Sequence, residues 1–159
     1  IFFLTTLVLQ LSAQKNCDSL YNNGSFDKAI NCYSEELKNC FDDKRKISLL
    51  GNIGNAYEEL GEYNIAHEFY SRSLQLAKYK NEDIAISNSL NHLGNIYYRW
   101  GSFEKAPNYY KKALELKEST KDNAGVPSVL NNLGNVYYSW GQYNTSLEYY
   151  KKALQIKSL

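Results

Sequence analysis

Asparagine follows glycine at three places spaced by 40 residues: Gly54–Asn55, Gly94–Asn95 and Gly134–Asn135. Further polar side chains keep step with these pairs. Asn52, His92 and Asn132 come two residues before each glycine, and Asn91 and Asn131 come three before. Ser48, Asn88 and Ser128 come six before; Tyr98 and Tyr138 come four after, and Glu59 and Arg99 five after. An asparagine side chain carries one acceptor oxygen and two N–H donors, so it can pair bidentately with a peptide group. Asparagine is also a modest helix former, so repeating it within a helix needs a reason. The chemistry on offer is paired hydrogen bonding to another amide. The alternative is that these amides bond across to the next repeat or simply face water.

The sequence holds no pattern that would assemble a catalytic centre. It has no phosphate-cradling glycine loop, no nucleophile elbow and no metal-ligand spacing. The adjacent pairs Glu35–Glu36 and Glu58–Glu59 would splay by about 100° on a helix, which does not suit paired acid–base work. His67 and His92 are too far apart in sequence to suggest a ligand pair. We therefore expect no enzyme activity, no cofactor and no bound metal. A net charge of +1 over 159 residues gives no strong field, and no nucleic-acid partner is expected of this segment.

The elements that must position these residues follow from hydrophobic period. Leu130, Leu133, Gly134 and Tyr137 fall on one face of a helix. After Gly141, Tyr143, Leu147, Tyr150 and Leu154 form a second apolar stripe, with Lys151 and Lys152 turned to water. Gly61, Gly101 and Gly141 stand where a left-handed C-cap would end the first helix of each pair. Each unit reads as helix, tight turn, helix. Gly54, Gly94 and Gly134 lie inside first helices, at a cost of about 1 kcal/mol against alanine. A close neighbour helix is the expected reason, with the small residues Ala66, Ala106 and Ser146 as its counterpart. Asp42 and Asp43 are expected to open one helix, and a helix is expected from Phe103 with its first turn bent by Pro107. Pro127 is expected to open or kink the helix that ends near Trp140.

Leu90, Leu93–Gly94, Tyr97, Gly101, Phe103, Ala106, Tyr110 and Ala113 resemble the repeating pattern of the tetratricopeptide repeat (TPR) family. Leu130, Leu133–Gly134, Tyr137, Gly141, Tyr143, Tyr150 and Ala153 repeat it, as do Leu50, Ile53–Gly54, Tyr57, Gly61, Tyr63, Ala66 and Tyr70. Gly24, Phe26, Ala29 and Tyr33 match the second half of a fourth unit. The period of 40 residues exceeds the family's usual length of about 34, and the family's terminal proline is missing. The resemblance implies an all-α fold, a right-handed α-solenoid of antiparallel helix pairs, with units near 14–41, 42–81, 82–121 and 122–159. It also implies that the asparagine-bearing face of each first helix lines a concave groove holding a peptide or helix of a partner protein. The expected groove residues are Asn52, Asn55, Glu59, Asn88, Asn91, His92, Asn95, Tyr98, Arg99, Asn131, Asn132, Asn135 and Tyr138. The family's basic clamp for a free carboxylate is not matched, since Arg99 is the one cation among these positions.

Ile1–Ala13 is uncharged and apolar. It is shorter than the roughly 20 residues that span a bilayer, and it fits the apolar core of a secretory signal lacking its basic leader. The alternative is an ordinary buried first helix. Export would place the chain in an oxidising space, where Cys17 and Cys32, expected on facing helices, could form a disulfide; buried thiols are the alternative. Membrane attachment would come only through flanking segments outside this sequence, and further repeats or another domain are expected after Leu159. Together these readings describe a scaffold for protein partners, the extracytoplasmic sensor or adaptor part of a larger bacterial signalling protein. The alternatives are a free-standing periplasmic or outer-membrane assembly scaffold, or a non-catalytic fragment of an enzyme.

Overall fold

A computed structural model describes residues 16–122 and 124–157. The apolar stretch Ile1–Ala13 lies outside these residues. The fold is all-α, as expected: no strand occurs among the described residues. Residues 16–22 form the described part of α1. It is followed by α2 (Phe26–Lys38), α3 (Asp43–Glu59), α4 (Tyr63–Lys80), α5 (Asp83–Arg99), α6 (Ala106–Ser119), α7 (Val126–Ser139) and α8 (Tyr143–Lys157). No described helix is long and apolar enough to cross a membrane. The chain forms two compact units that divide within α4, between Arg72 and Ser73.

The turns are built as the glycines predict. Gly24, Gly61, Gly101 and Gly141 have φ of +74°, +78°, +70° and +78°, a region open to glycine without a Cβ clash. At Gly101 the N–H of Gly101 donates to the carbonyl of Tyr98 and the N–H of Ser102 to that of Tyr97. This pair of bonds satisfies carbonyls that the ending helix leaves open. Asn81 and Lys121 take the same left-handed cap at the ends of α4 and α6, with φ of 56° and 57°. Asp42 caps α3 by accepting from the Arg45 N–H at 2.9 Å.

Three expectations are corrected. The helix expected from Phe103 begins three residues later, at Ala106. Pro107 has no N–H to give the Phe103 carbonyl, so residues 103–105 remain a turn and the proline starts α6 instead of bending it. Pro127 likewise opens α7. The second correction concerns the stripe on α8: Tyr143, Leu147 and Leu154 are exposed. One repeat earlier Pro107 and Tyr110 are buried and Leu114 packs beneath α7, against Val126 and Leu130. No described helix covers the matching face of α8. The third concerns the helical glycines. A Cβ on Gly54 would lie 2.6 Å from Cε1 of Tyr70, and one on Gly94 2.7 Å from Cε1 of Tyr110. Gly134 meets Tyr150 in the same way. The close neighbour is therefore a tyrosine ring sixteen residues on. Of the small residues expected there, Ser146 does touch its glycine, its hydroxyl donating to the Gly134 carbonyl at 2.8 Å.

In the first unit Cys17, Ala29, Tyr33, Leu49 and Ile53 form the centre of the core. The Cys17–Cys32 disulfide joins α1 to α2 with Cα atoms 5.5 Å apart, and Cys40 is a buried free thiol. In the second unit the core runs through Leu90, Tyr110, Ala113, Val129, Leu133 and Val136.

Candidate functional site

The helical asparagines are held by tyrosines. Tyr70 donates to Asn55 Oδ1 at 2.7 Å, Tyr110 to Asn95 Oδ1 at 2.7 Å and Tyr150 to Asn135 Oδ1 at 2.6 Å. In the first hairpin Tyr33 donates to Asp18 Oδ1 at 2.6 Å. All four bonds span fifteen residues. Each ring crosses the first helix of its own hairpin and fixes the orientation of one amide or carboxylate. This role for the tyrosines and Asp18 was missed in the sequence, although the constant spacing was there to be seen.

In the first unit, α3 presents half-buried Asn52 and Asn55 and exposed Glu59. Glu58 Oε2 also lies 2.7 Å from the Tyr70 hydroxyl, so Asn55 and Glu58 share its single proton and the rigid point on α3 is that pair around one hydroxyl.

In the second unit, α5 and α7 bring most of the expected residues together. Asn132 Nδ2 donates to Asn91 Oδ1 at 3.1 Å and to Asn95 Oδ1 at 3.4 Å. Tyr98 and Ser139 share a hydroxyl–hydroxyl bond of 3.1 Å further along the same pair of helices. A seam of five polar residues thus joins one repeat to the next, with Asn95 also accepting from Tyr110. The amide groups Asn91 Nδ2 and Asn95 Nδ2, and the carbonyl Asn132 Oδ1, are engaged by no other described side chain, and all three residues are half-buried. Asn131 is half-buried beside them, while Arg99, Asn135 and Tyr138 are exposed. Tyr138 packs edge-on against Tyr143.

Two expected residues, exposed Asn88 and half-buried His92, gather around Lys117. Asn88 accepts from Lys117 at 2.8 Å, and Lys117 also bonds Asp122 at 2.8 Å. Lys117 is 5% exposed, and its stem lies where a Cβ on Gly125 would have to go. A buried ammonium needs such partners, since desolvation alone would disfavour its charge. Its hydrogen bond holds the Asp122 carboxyl below the usual range. His92 faces this cluster. Burial, and then the Lys117 charge, bring its pKa from 6.5 to about 4.

A pH dependence follows. Between 6.5 and about 4 the unfolded chain binds a proton at His92 that the folded chain refuses. Stability is therefore full above 6.5 and falls as pH drops through that window, by at most roughly 3 kcal/mol. The Asp122 contribution has the same sign but is lost only below its ordinary value of 3.8. Thermal midpoints followed by circular dichroism should fall from pH 6.5 toward 4 in the parent chain and fall less steeply in His92→Gln, where the burial that lowers His67 still acts. An equal slope in both would remove His92 as the cause.

Comparison with known proteins agrees with this geometry. The tetratricopeptide repeat sequence profile matches residues 46–119 and 83–158. No curated protein matches the chain in sequence. Among solved structures, BtubC (BKLC) from P. vanneervenii is 27% identical with a TM-score of 0.79, over 89% of this chain and 59% of that one. The apo form of RapI is 22% identical with a TM-score of 0.84, over 91% of this chain and 54% of that one. The Rap conjugation gene regulator of plasmid pLS20, solved in complex with the Phr* peptide, is 19% identical with a TM-score of 0.77, over 87% and 40%. The likeness to the last two shows the fold, a helical repeat. The chain spans little more than half the length of the first two.

Proposed function

The chain belongs to the tetratricopeptide repeat family, and on that premise we propose that it is a scaffold whose α5–α7 face holds a segment of a partner protein. The observation that carries this reading is the seam of Asn91, Asn95 and Asn132. Their mutual bonds, and the bond from Tyr110, fix the amides before any ligand arrives. Preorganised groups spend less ordering entropy on binding. The two NH2 groups and one carbonyl left over match the acceptor and donor of a peptide backbone. Tyr138 adds an exposed aromatic anchor at the end of α7. A like-folded regulator that holds a peptide, the pLS20 Rap protein, supports the same reading.

Capture from a displayed peptide library tests it. Asn91→Ala/Asn132→Ala removes both ends of one bond and leaves the Tyr110–Asn95 contact in place, so helical content should persist. Retention of the selected peptides should fall by about tenfold or more. Unchanged retention by a folded double variant would end this assignment of the face.

We further propose that the chain is exported, as the sensor or adaptor part of a larger bacterial signalling protein. The Cys17–Cys32 disulfide supports an oxidising location, and the apolar Ile1–Ala13 supports a secretory leader. Residues 1–16, placed behind a start codon and a basic leader, should export a fused alkaline phosphatase. Phosphatase that stays reduced and inactive in the cytosol would sink the proposal.

A further inference from the structure

The second unit carries a surface apart from the asparagine seam. On it, stacked rings are covered by lysines. Tyr97 stacks on Tyr109 with centroids 4.8 Å apart, and Tyr137 stacks on Tyr149 at 5.4 Å. Trp100 packs edge-on against Tyr97, and Trp140 lies along Tyr137. The two tryptophans are 40% and 42% exposed. The ammonium groups of Lys105, Lys111 and Lys152 lie 5.9, 5.9 and 5.6 Å from the centres of Tyr97, Tyr137 and Tyr149. Lys111 belongs to α6 and reaches a ring of α7, so the two hairpins share one continuous surface.

We propose that this surface, with Lys105, Lys111 and Lys152 as its cations and Trp100 and Trp140 as its apolar rim, docks an acidic segment of a partner protein. Three observations carry the assignment. First, none of the three lysines is ion-paired among the described residues. In the first unit, by contrast, Lys38 pairs with Glu35, Arg45 with Glu36 and Lys46 with Asp43. Second, residues 73–159 hold eleven Lys and Arg against seven Asp and Glu, whereas residues 1–72 hold seven against ten. The nearly neutral total conceals a basic second unit, and its charge complements an acidic chain. Third, a ring beneath an ammonium holds it in place without neutralising it, so its remaining donors stay open to a carboxylate.

The rings also argue against a nucleic acid. Base stacking needs an open aromatic face, and here the tyrosine faces are taken by each other and by the lysines. A carboxylate needs only the ammonium groups, and aliphatic carbons beside it can rest on the tryptophans.

A labelled peptide of alternating Glu and Gly is the probe, followed by its anisotropy and by tryptophan emission in low salt. Binding should change the emission of Trp100 and Trp140 and weaken as salt screens the charges. Lys105→Gln/Lys111→Gln/Lys152→Gln should weaken it by about tenfold or more, since several charge pairs are lost together. Lys78→Gln/Lys112→Gln/Lys151→Gln removes the same charge elsewhere and should weaken it by less than about threefold. Three results would each overturn the proposal: no binding of the acidic peptide, equal weakening by the two triple variants, or tighter binding of an oligothymidylate than of the peptide. Asn91→Ala/Asn132→Ala should leave this binding unchanged, which separates its failure from failure of the peptide face.

Discussion

Gly94→Ala should lower the thermal midpoint by roughly 2–12 °C, although alanine is the better helix former. The new methyl carbon would sit 2.7, 2.8 and 3.0 Å from three carbons of the Tyr110 ring. That ring is 1% exposed and cannot swing away into solvent. Its hydroxyl is tethered to Asn95, the residue after the glycine, so retreat would break a bond worth about 1 kcal/mol. Overpacking a filled core costs about 1–3 kcal/mol, and the helix-propensity gain returns about 1 kcal/mol at most. With the lost hydrogen bond counted, the net loss is about 1–3 kcal/mol. Shrinking the ring should reverse part of the damage: Tyr110→Leu placed in Gly94→Ala should cost less than it does alone, a coupling read from a double-mutant cycle. A Gly94→Ala chain as stable as its parent would show that the ring does not constrain the helix. The same contact recurs between Gly54 and Tyr70, so Gly54→Ala should behave alike in the first unit.

Reduction of the Cys17–Cys32 disulfide should have an effect of similar size. The bond spans fifteen residues, and closing a loop of that length in the unfolded chain contributes about 3 kcal/mol. Its place in the repeat explains why little else could compensate. Cys17 stands where the next hairpin has Gly54, and Cys32 where it has Phe69; Gly24 and Gly61 share that offset of 37 residues. In the later hairpins a tyrosine of the first helix stacks on the aromatic at the Cys32 position, as Tyr57 does on Phe69. The first hairpin has Leu20 at the place of Tyr57 and no such ring pair, so the sulfur bridge takes over the joining of its helices. Reductant should lower the thermal midpoint of the parent chain and have no further effect on Cys17→Ala/Cys32→Ala. Cys40→Ala should keep the full response, since Cys40 takes no part in the bond. A parent chain indifferent to reductant would refute the contribution.

The seam and the buried cluster show how far the sequence could be read. Asn91, Asn95 and Asn132 stood out because they recur at fixed steps from the helical glycines. That Asn132 bonds across to both of the others depends on the approach of α5 to α7. His92 occupies the same repeat position as Asn52 and Asn132, yet it faces the Lys117 ammonium. No count along the chain would place Lys117 there, because it is 29 residues from Asn88 and reaches it only after α6 folds back.

What the sequence determined alone was the class of fold, the glycine-capped ends of its first helices and the period of its repeat. These are local matters: a glycine free to take positive φ, a proline without an N–H, an apolar stripe every third or fourth residue. Tertiary packing decided which stripe residues are covered, which ring presses on each glycine, and where each amide spends its hydrogen bonds. Those outcomes turn on distances between helices, and a side chain's partner across such a gap is set by the packing of everything around it.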